Sequence, residues 1–313
     1  MSLFCLSSCK NDEKTALRLN GVKISNDVYT YFLDEAISSS KEEISYEKAQ
    51  KEAVKSAKAY FKKNTLAHKT GVKLTVAQKK AVSERVNASW SIYGDYYTSI
   101  GVTKETLTKV YTADAYRDSL LLHYYGEGGE NEISLARLYA SFRTNYIVFQ
   151  CINGYLSYSD AEGFTRDFDD AGREAVILRF QNMASLINAG EKTMEDAAEF
   201  LSLSGYSCSV STVVLKKGNN SYPAGFFEKV QSLKARDATV IGTTEHKYIF
   251  LVIRGDAGTD SEYFLDKKEE IVKEIAGTEI DERIEKAYSV SETVSVGESQ
   301  SFYNMIKGKR ESK

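Results

Sequence analysis

Tyr146-Ile147-Val148-Phe149-Gln150-Cys151-Ile152 breaks with the sequence on either side of it. The run is β-branched and aromatic and carries no helical period, so it predicts a strand. Upstream, apolar residues recur every three or four positions. Over 45–69, Ala49, Ala53, Ala57 and Phe61 repeat at i+4 while the other faces carry Lys, Glu and Gln, which predicts an amphipathic helix. Gly71 ends it. Thr75 and Gln78 have capping-box spacing and open a second helix along Val82, Val86 and Trp90, stopped by Gly101. Thr103 opens a third, through Leu107, Val110 and Tyr111 to Tyr125, closed by Gly126-Glu127-Gly128-Gly129; a short helix over 132–143 follows. Nearer the start, 16–24 alternates apolar and polar residues around Asn20-Gly21 and reads as a short strand or hairpin. Ser25 then caps a helix whose face is Val28, Tyr31, Phe32 and Ala36.

Downstream of the strand, Val176, Phe180, Met183 and Ile187 predict a helix over 166–189 that ends at Gly190. Thr193 caps a short helix to 202. Strands are expected at 210–215, 240–241 and 248–253, with a short helix over 226–233 between the first two. Residues 262–288 return to helix, with Ile271 and Ile275, then Ile280 and Ile284, paired at i+4. Phe302 and Tyr303 lie in a last apolar stretch, and the basic tail Lys307-Gly308-Lys309-Arg310 is expected to fray. The fold class is therefore α+β. A mainly helical domain is formed by N- and C-terminal segments, 15–142 plus 257–313, and a βα2βαβ2 domain over 143–256 is inserted between them.

The chain has 313 residues, 42% of them hydrophobic, enough for packed cores and for about two domains. Lys and Arg number 41 against 44 Asp and Glu, and the signs are interleaved, so there is no basic character for gripping nucleic acid. No run reaches the ~18 apolar residues of a membrane span. A single proline, Pro223, excludes proline-rich linkers.

Four cysteines, Cys5, Cys9, Cys151 and Cys208, match no zinc spacing and are too few for a disulfide scaffold. Leu6-Ser7-Ser8-Cys9 has the order of a bacterial lipobox, and the polar stretch Lys10 to Lys14 after it has the character of a tether. Residues 1–14 are expected to be a truncated signal and tether, with Cys9 the lipidated residue; stable anchoring takes more than one acyl chain. That places the protein outside the cytoplasm, on the cell envelope, touching membrane only through its lipid.

Several stretches resemble the SurA/PrsA-type envelope foldases, whose helical part is related to trigger factor. They are Asn20 to Ser25 before the first helix, Ala67 to Thr75, Gly101 to Leu107, Tyr125 to Gly129, and Phe226 to Ile253, the last being similar to the closing helix and strand pair of a parvulin-type peptidyl-prolyl isomerase. The resemblance spans nearly the whole chain, and it is the order of the motifs that carries it. It implies a helical chaperone domain with an inserted parvulin-like domain. It also implies no cofactor, and partners that are unfolded or nascent exported polypeptides; a homodimer is left open.

The parvulin-like block departs from the family at its chemistry. Cys151 stands where the family's first strand carries a His, and Ile249, or Tyr248 if the register shifts by one, stands for the second. The resemblance therefore implies weak or absent isomerase activity, with Phe226 or Phe227 either left from a proline pocket or simply core. An active isomerase and an envelope scaffold or assembly lipoprotein are the alternatives. In the helical part, Tyr93, Tyr96 and Tyr97 are candidates for a client-holding aromatic face, or else for a helix interface. His68, His123 and His246 have no metal-ligand spacing, so no metal is expected. Asp256, Gly258 and Asp260 hint at a calcium loop, but Lys267 stands where its twelfth position needs Glu.

Overall fold

The structure is a computed structural model that describes residues 15–203, 208–243 and 248–311. It is α+β, with two compact units. One contains the described residues up to Glu132 together with those from Val272. The other is Ile133–Ile271.

The first unit begins with strands β1 (Leu17–Leu19) and β2 (Val22–Ile24), joined at Asn20 and Gly21, both with positive φ. Four helices follow: α1 (Asn26–Ser38), α2 (Tyr46–Thr70), α3 (Val76–Ser99) and α4 (Lys104–Tyr125). Their ends obey local chemistry. Thr75 and Gln78 form a reciprocal capping box at the start of α3, and Gly71 closes α2 in the left-handed conformation. Ala49, Ala53 and Ala57 are fully buried, so α1 packs closely on α2. Strand β9 (Glu292–Val294) pairs antiparallel with β1, and α10 (Val296–Glu311) packs on α1 and α2. The core gathers Leu17, Leu19, Tyr29, Leu33, Leu107 and Ile306 around these elements. Each such side chain contributes roughly 1.5–3 kcal/mol by leaving water.

The expectation of a frayed basic tail is corrected. Lys307 to Arg310 belong to α10. Arg310 donates through Nε and Nη2 to Oδ1 of buried Asp34, at 2.9 and 2.7 Å, and Lys307 pairs with Glu43.

In the second unit, α5 (Leu135–Asn145) runs into the long strand β3 (Tyr146–Tyr155). Then come β4 (Ser157–Ser159), β5 (Thr165–Asp167), α6 (Asp170–Asn188), α7 (Met194–Leu203), β6 (Val210–Lys216), α8 (Phe226–Gln231), β7 (Ala238–Thr243) and β8 (Tyr248–Arg254). The main sheet is antiparallel with strand order β6-β3-β8-β7, and β4 and β5 form a separate hairpin that the sequence pattern did not announce. Helix α9 (Ala257–Ala287) supplies its residues up to Ile271 to this unit and the remainder to the other.

The unit boundaries fall outside the expected 143 and 256. Phe142 stacks on Tyr146 at 5.4 Å, and Phe264 of α9 meets Tyr139 and Phe142 edge-on at 5.2 and 5.7 Å, so α5 and the start of α9 share a core with the sheet.

Candidate functional site

Strand alternation puts successive side chains on opposite faces. On one face of the main sheet, Ile152, Ile249 and Leu251 pack under α6 and α7 with Val176, Phe180, Met183 and Leu201. There Gly154 lies against Phe180: a Cβ on it would come within 2.4 Å of Phe180 Cζ. On the other face, Ile147, Phe149, Cys151, Leu215, Ile241, Phe250 and Val252 meet Phe226, Phe227 and Val230 of α8.

Helix α8 is short, and both ends are fastened. Gly225 takes φ 75° at its start, and the Phe226 N–H donates to the Pro223 carbonyl at 3.0 Å. At its end Arg254 Nη1 donates to the Gln231 and Leu233 carbonyls, each at 2.6 Å. A cation on a helix C-terminus is favourable. These contacts hold Phe226 against the sheet.

The second face carries a continuous row of rings. Tyr155 lies directly across from Tyr248, with ring centroids 5.4 Å apart. Tyr248 is 6.3 Å from Phe250, Phe250 is 5.4 Å from Phe226, and Tyr222 sits 4.5 Å from Phe226. Phe149 closes the row, 5.5 Å from Phe226. Its outer end is open, with Tyr155 53% and Tyr248 43% exposed; the inner end is buried.

Cys151 lies beneath this row, 1% exposed. Its Sγ donates to Oδ1 of Asn153 at 2.9 Å. Burial pushes the thiol up to about 12, so it is neutral at physiological pH. Burial, with Cys151 as a lesser influence, also raises the Tyr222 phenol. What the face offers outward is the open pair of rings of Tyr155 and Tyr248, an apolar and aromatic contact.

The structure thus brings Cys151, Tyr248, Phe226 and Phe227 to one face and leaves Ile249 on the other, fully buried. Of the two registers left open for the second family position, Tyr248 is the one that shares a face with Cys151. Tyr155, Tyr222, Phe250 and Asn153 were missed. Counting by twos from Cys151 and from Tyr248 finds three of them; Tyr222 reaches the face from a loop and has no such signal. His246 and Cys9 lie outside the described residues.

In the helical unit the three tyrosines of α3 separate. Tyr93 is 51% exposed, beside exposed Ile92. Tyr97 is half-buried, packed against Trp90, Tyr31 and Tyr93, and burial pushes its phenol up to about 12. Tyr96 is buried and donates to Asp34 Oδ1 at 2.5 Å; burial first, then that bond, raises its phenol. Tyr96 is a core residue and presents no open ring. Among the described residues no group of His, Cys, Asp or Glu is arranged to hold a metal ion, and no helix is long and apolar enough to cross a membrane.

No protein-family model matches the chain, and no curated protein sequence matches it. Among solved structures, the foldase protein PrsA from Streptococcus pneumoniae aligns over 93% of this chain and 92% of its own, at 12% identity and a TM-score of 0.36.

Proposed function

We propose that this chain is an extracytoplasmic protein-folding factor, a holdase that shelters unfolded exported polypeptides and is held at the envelope by lipid on Cys9. In this reading the sheet unit is a parvulin-like domain that retains a binding face and has given up isomerisation. The observation that carries it is the uncharged aromatic row from exposed Tyr155 and Tyr248 to buried Phe226, laid over a thiol that stays protonated. Aromatic faces bind apolar segments with little demand on sequence. Exposed Tyr93 and Ile92 give the helical unit a second contact of the same kind.

Isomerisation asks for more. The amide barrier is about 18–20 kcal/mol, and lowering it takes polar groups aimed at the twisted amide. The thiol of Cys151 is already donated to Asn153, and neither Cys151 nor Tyr248, at the two family positions, carries an imidazole.

The test has two arms. The chain should suppress aggregation of unrelated unfolded proteins, such as reduced insulin and reduced lysozyme, at near-stoichiometric ratios, and a Tyr155→Ser/Tyr248→Ser double variant should suppress it several-fold less well. In a proline-peptide isomerisation assay the rate should stay at the uncatalysed value. Clear acceleration would give the protein to the active isomerases, and protection of one client alone would make it a dedicated assembly factor.

A further inference from the structure

We propose that β6 is a docking edge, on which an extended segment of an unfolded polypeptide adds as a fifth strand of the main sheet; the identity of that occupant rests on the folding-factor reading above.

The hydrogen-bond parity of the sheet points the way. The Lys217 N–H donates to the Asn145 carbonyl at 2.7 Å, continuing the β3–β6 register by one pair. In an antiparallel ladder, hydrogen-bonded pairs alternate with non-bonded ones. Residues 211, 213 and 215 therefore bond to β3, and the backbone N–H and C=O of Thr212 and Val214 point away from it. The far side of β3 agrees: the Val148 carbonyl, opposite Val214, accepts from Gly255 at 2.9 Å and so faces β8.

The sheet's other edge is blocked at its start. Ala238, at the start of β7, has its N–H taken by Asn188 Oδ1 at 2.7 Å and its carbonyl by Asn188 Nδ2 at 2.9 Å. The edges of the small sheet, β2 and β9, are three residues each. Among the described residues, β6 carries few of the usual protections, its one charged side chain being Lys216 at the C-terminal end. It spans seven residues, pairs without a bulge, contains no proline, and is uncharged from Val210 to Leu215. Thr212 is exposed and borders an open cleft of about 650 Å³, lined also by Ile187, Met194, Ile253 and Tyr263, which leaves room for side chains beside the edge.

Two occupants fit a bare edge: a second copy of this chain, or a foreign strand. A seven-residue ladder is about 23 Å long. With Ser211, Thr212 and Lys216 as its exposed side chains, it buries far less than the ~1,200–2,000 Å² of a stable association. That suits a transient client and not a permanent dimer. Main-chain bonds are also the same for every sequence, as a holdase serving unrelated clients requires.

Hydrogen exchange with reduced, carboxymethylated lactalbumin, a permanently unfolded probe, tests this on the intact chain. The Thr212 and Val214 amides should slow at least tenfold at saturating probe, while Val213, already bonded to β3, should not change. Thr212→Pro and Val214→Pro each remove an outward N–H and leave the β3 ladder intact, which an edge strand tolerates; each should weaken probe binding at least fivefold. Probe binding with unchanged exchange at these two amides would overturn the docking edge and leave the folding-factor reading standing. Failure to bind the probe or to suppress aggregation would overturn both. Protection that rises with the chain's own concentration, without probe, would overturn the foreign strand in favour of a second copy.

Discussion

At the scale of single residues, Cys151 decides what the sheet face can do. A thiol at about 12 is only about 10⁻⁴ ionised at pH 8, against roughly a quarter for a free thiol near 8.5. Thiolate is the reactive form, and 1% exposure closes the approach as well. Cys208, whose Sγ lies 3.7 Å from the Asn153 carbonyl, is only half-buried, and burial raises it less completely. Iodoacetamide at pH 8 should therefore label Cys208 at least tenfold faster than Cys151 in the native protein, with the gap vanishing in urea. Peptide mass spectrometry reads this directly. Equal native rates would mean that the sheet face opens readily, and the case for an inert thiol would fail.

At the scale of elements, the junction between β8 and α9 shows one side chain setting a helix start. Asp256 Oδ1 accepts from the N–H groups of Thr259 at 2.9 Å and Gly258 at 3.0 Å, and its Oδ2 accepts from Arg236 at 2.6 Å. The Thr259 backbone bond first, then Arg236, holds this carboxyl down from an ordinary 3.8 to about 2. The calcium-like spacing of Asp256, Gly258 and Asp260 is thus a helix cap. Because the folded value lies below the unfolded one, the stability it contributes is present above about pH 4 and is lost as pH falls through about 2. Thermal melts of the wild type and Asp256→Asn should differ most above pH 4 and converge towards pH 2. A gap independent of pH would mean the carboxylate charge is not what matters.

That cap was not legible, its helix being expected only from 262, whereas the ends of α2 and α3 were, because their causes are local. Capping boxes, terminal glycines and i+4 alanines sit within a few residues of each other, and all appear where the sequence placed them. The β4–β5 hairpin was not, because its strands are three residues each, β5 is exposed throughout, and no core face imposes alternation. The site was half legible. Strand parity from Cys151 was available in the sequence, whereas Tyr222 and the Arg254 clamp on α8 depend on tertiary approach. Gly154 carries no sequence signal at all, since the seating of Phe180 and Ile249 against it explains it.

At the scale of the whole chain, the helical unit is assembled from sequence ends some 270 positions apart. Leu17 pairs with Val294, the Tyr29 hydroxyl meets Ser299 at 2.6 Å, the Tyr303 hydroxyl donates to the Ile44 carbonyl at 2.6 Å, and Arg310 reaches Asp34. Long loop closure is costly in entropy, so these contacts must act together to hold α10 in place. Asp34 is 6% exposed and is bonded at one oxygen by both Tyr96 and Arg310. Replacing Arg310 with Leu removes the cation from that nearly buried carboxylate and leaves the Tyr96 phenol bonded to it. Orphaning a fully buried charge costs about 3–5 kcal/mol, but a third of the Arg310 side chain is open to solvent, so roughly 1–3 kcal/mol is expected. Asp34→Asn combined with Arg310→Leu should recover part of the loss, because the buried charge is then gone with its partner. Urea melts of the two variants measure this, followed by the fluorescence of Trp90, the chain's single tryptophan, which stacks on Tyr97 in the same core. If Arg310→Leu melts with the wild type, α10 is held by its apolar face alone and the ion pair is incidental.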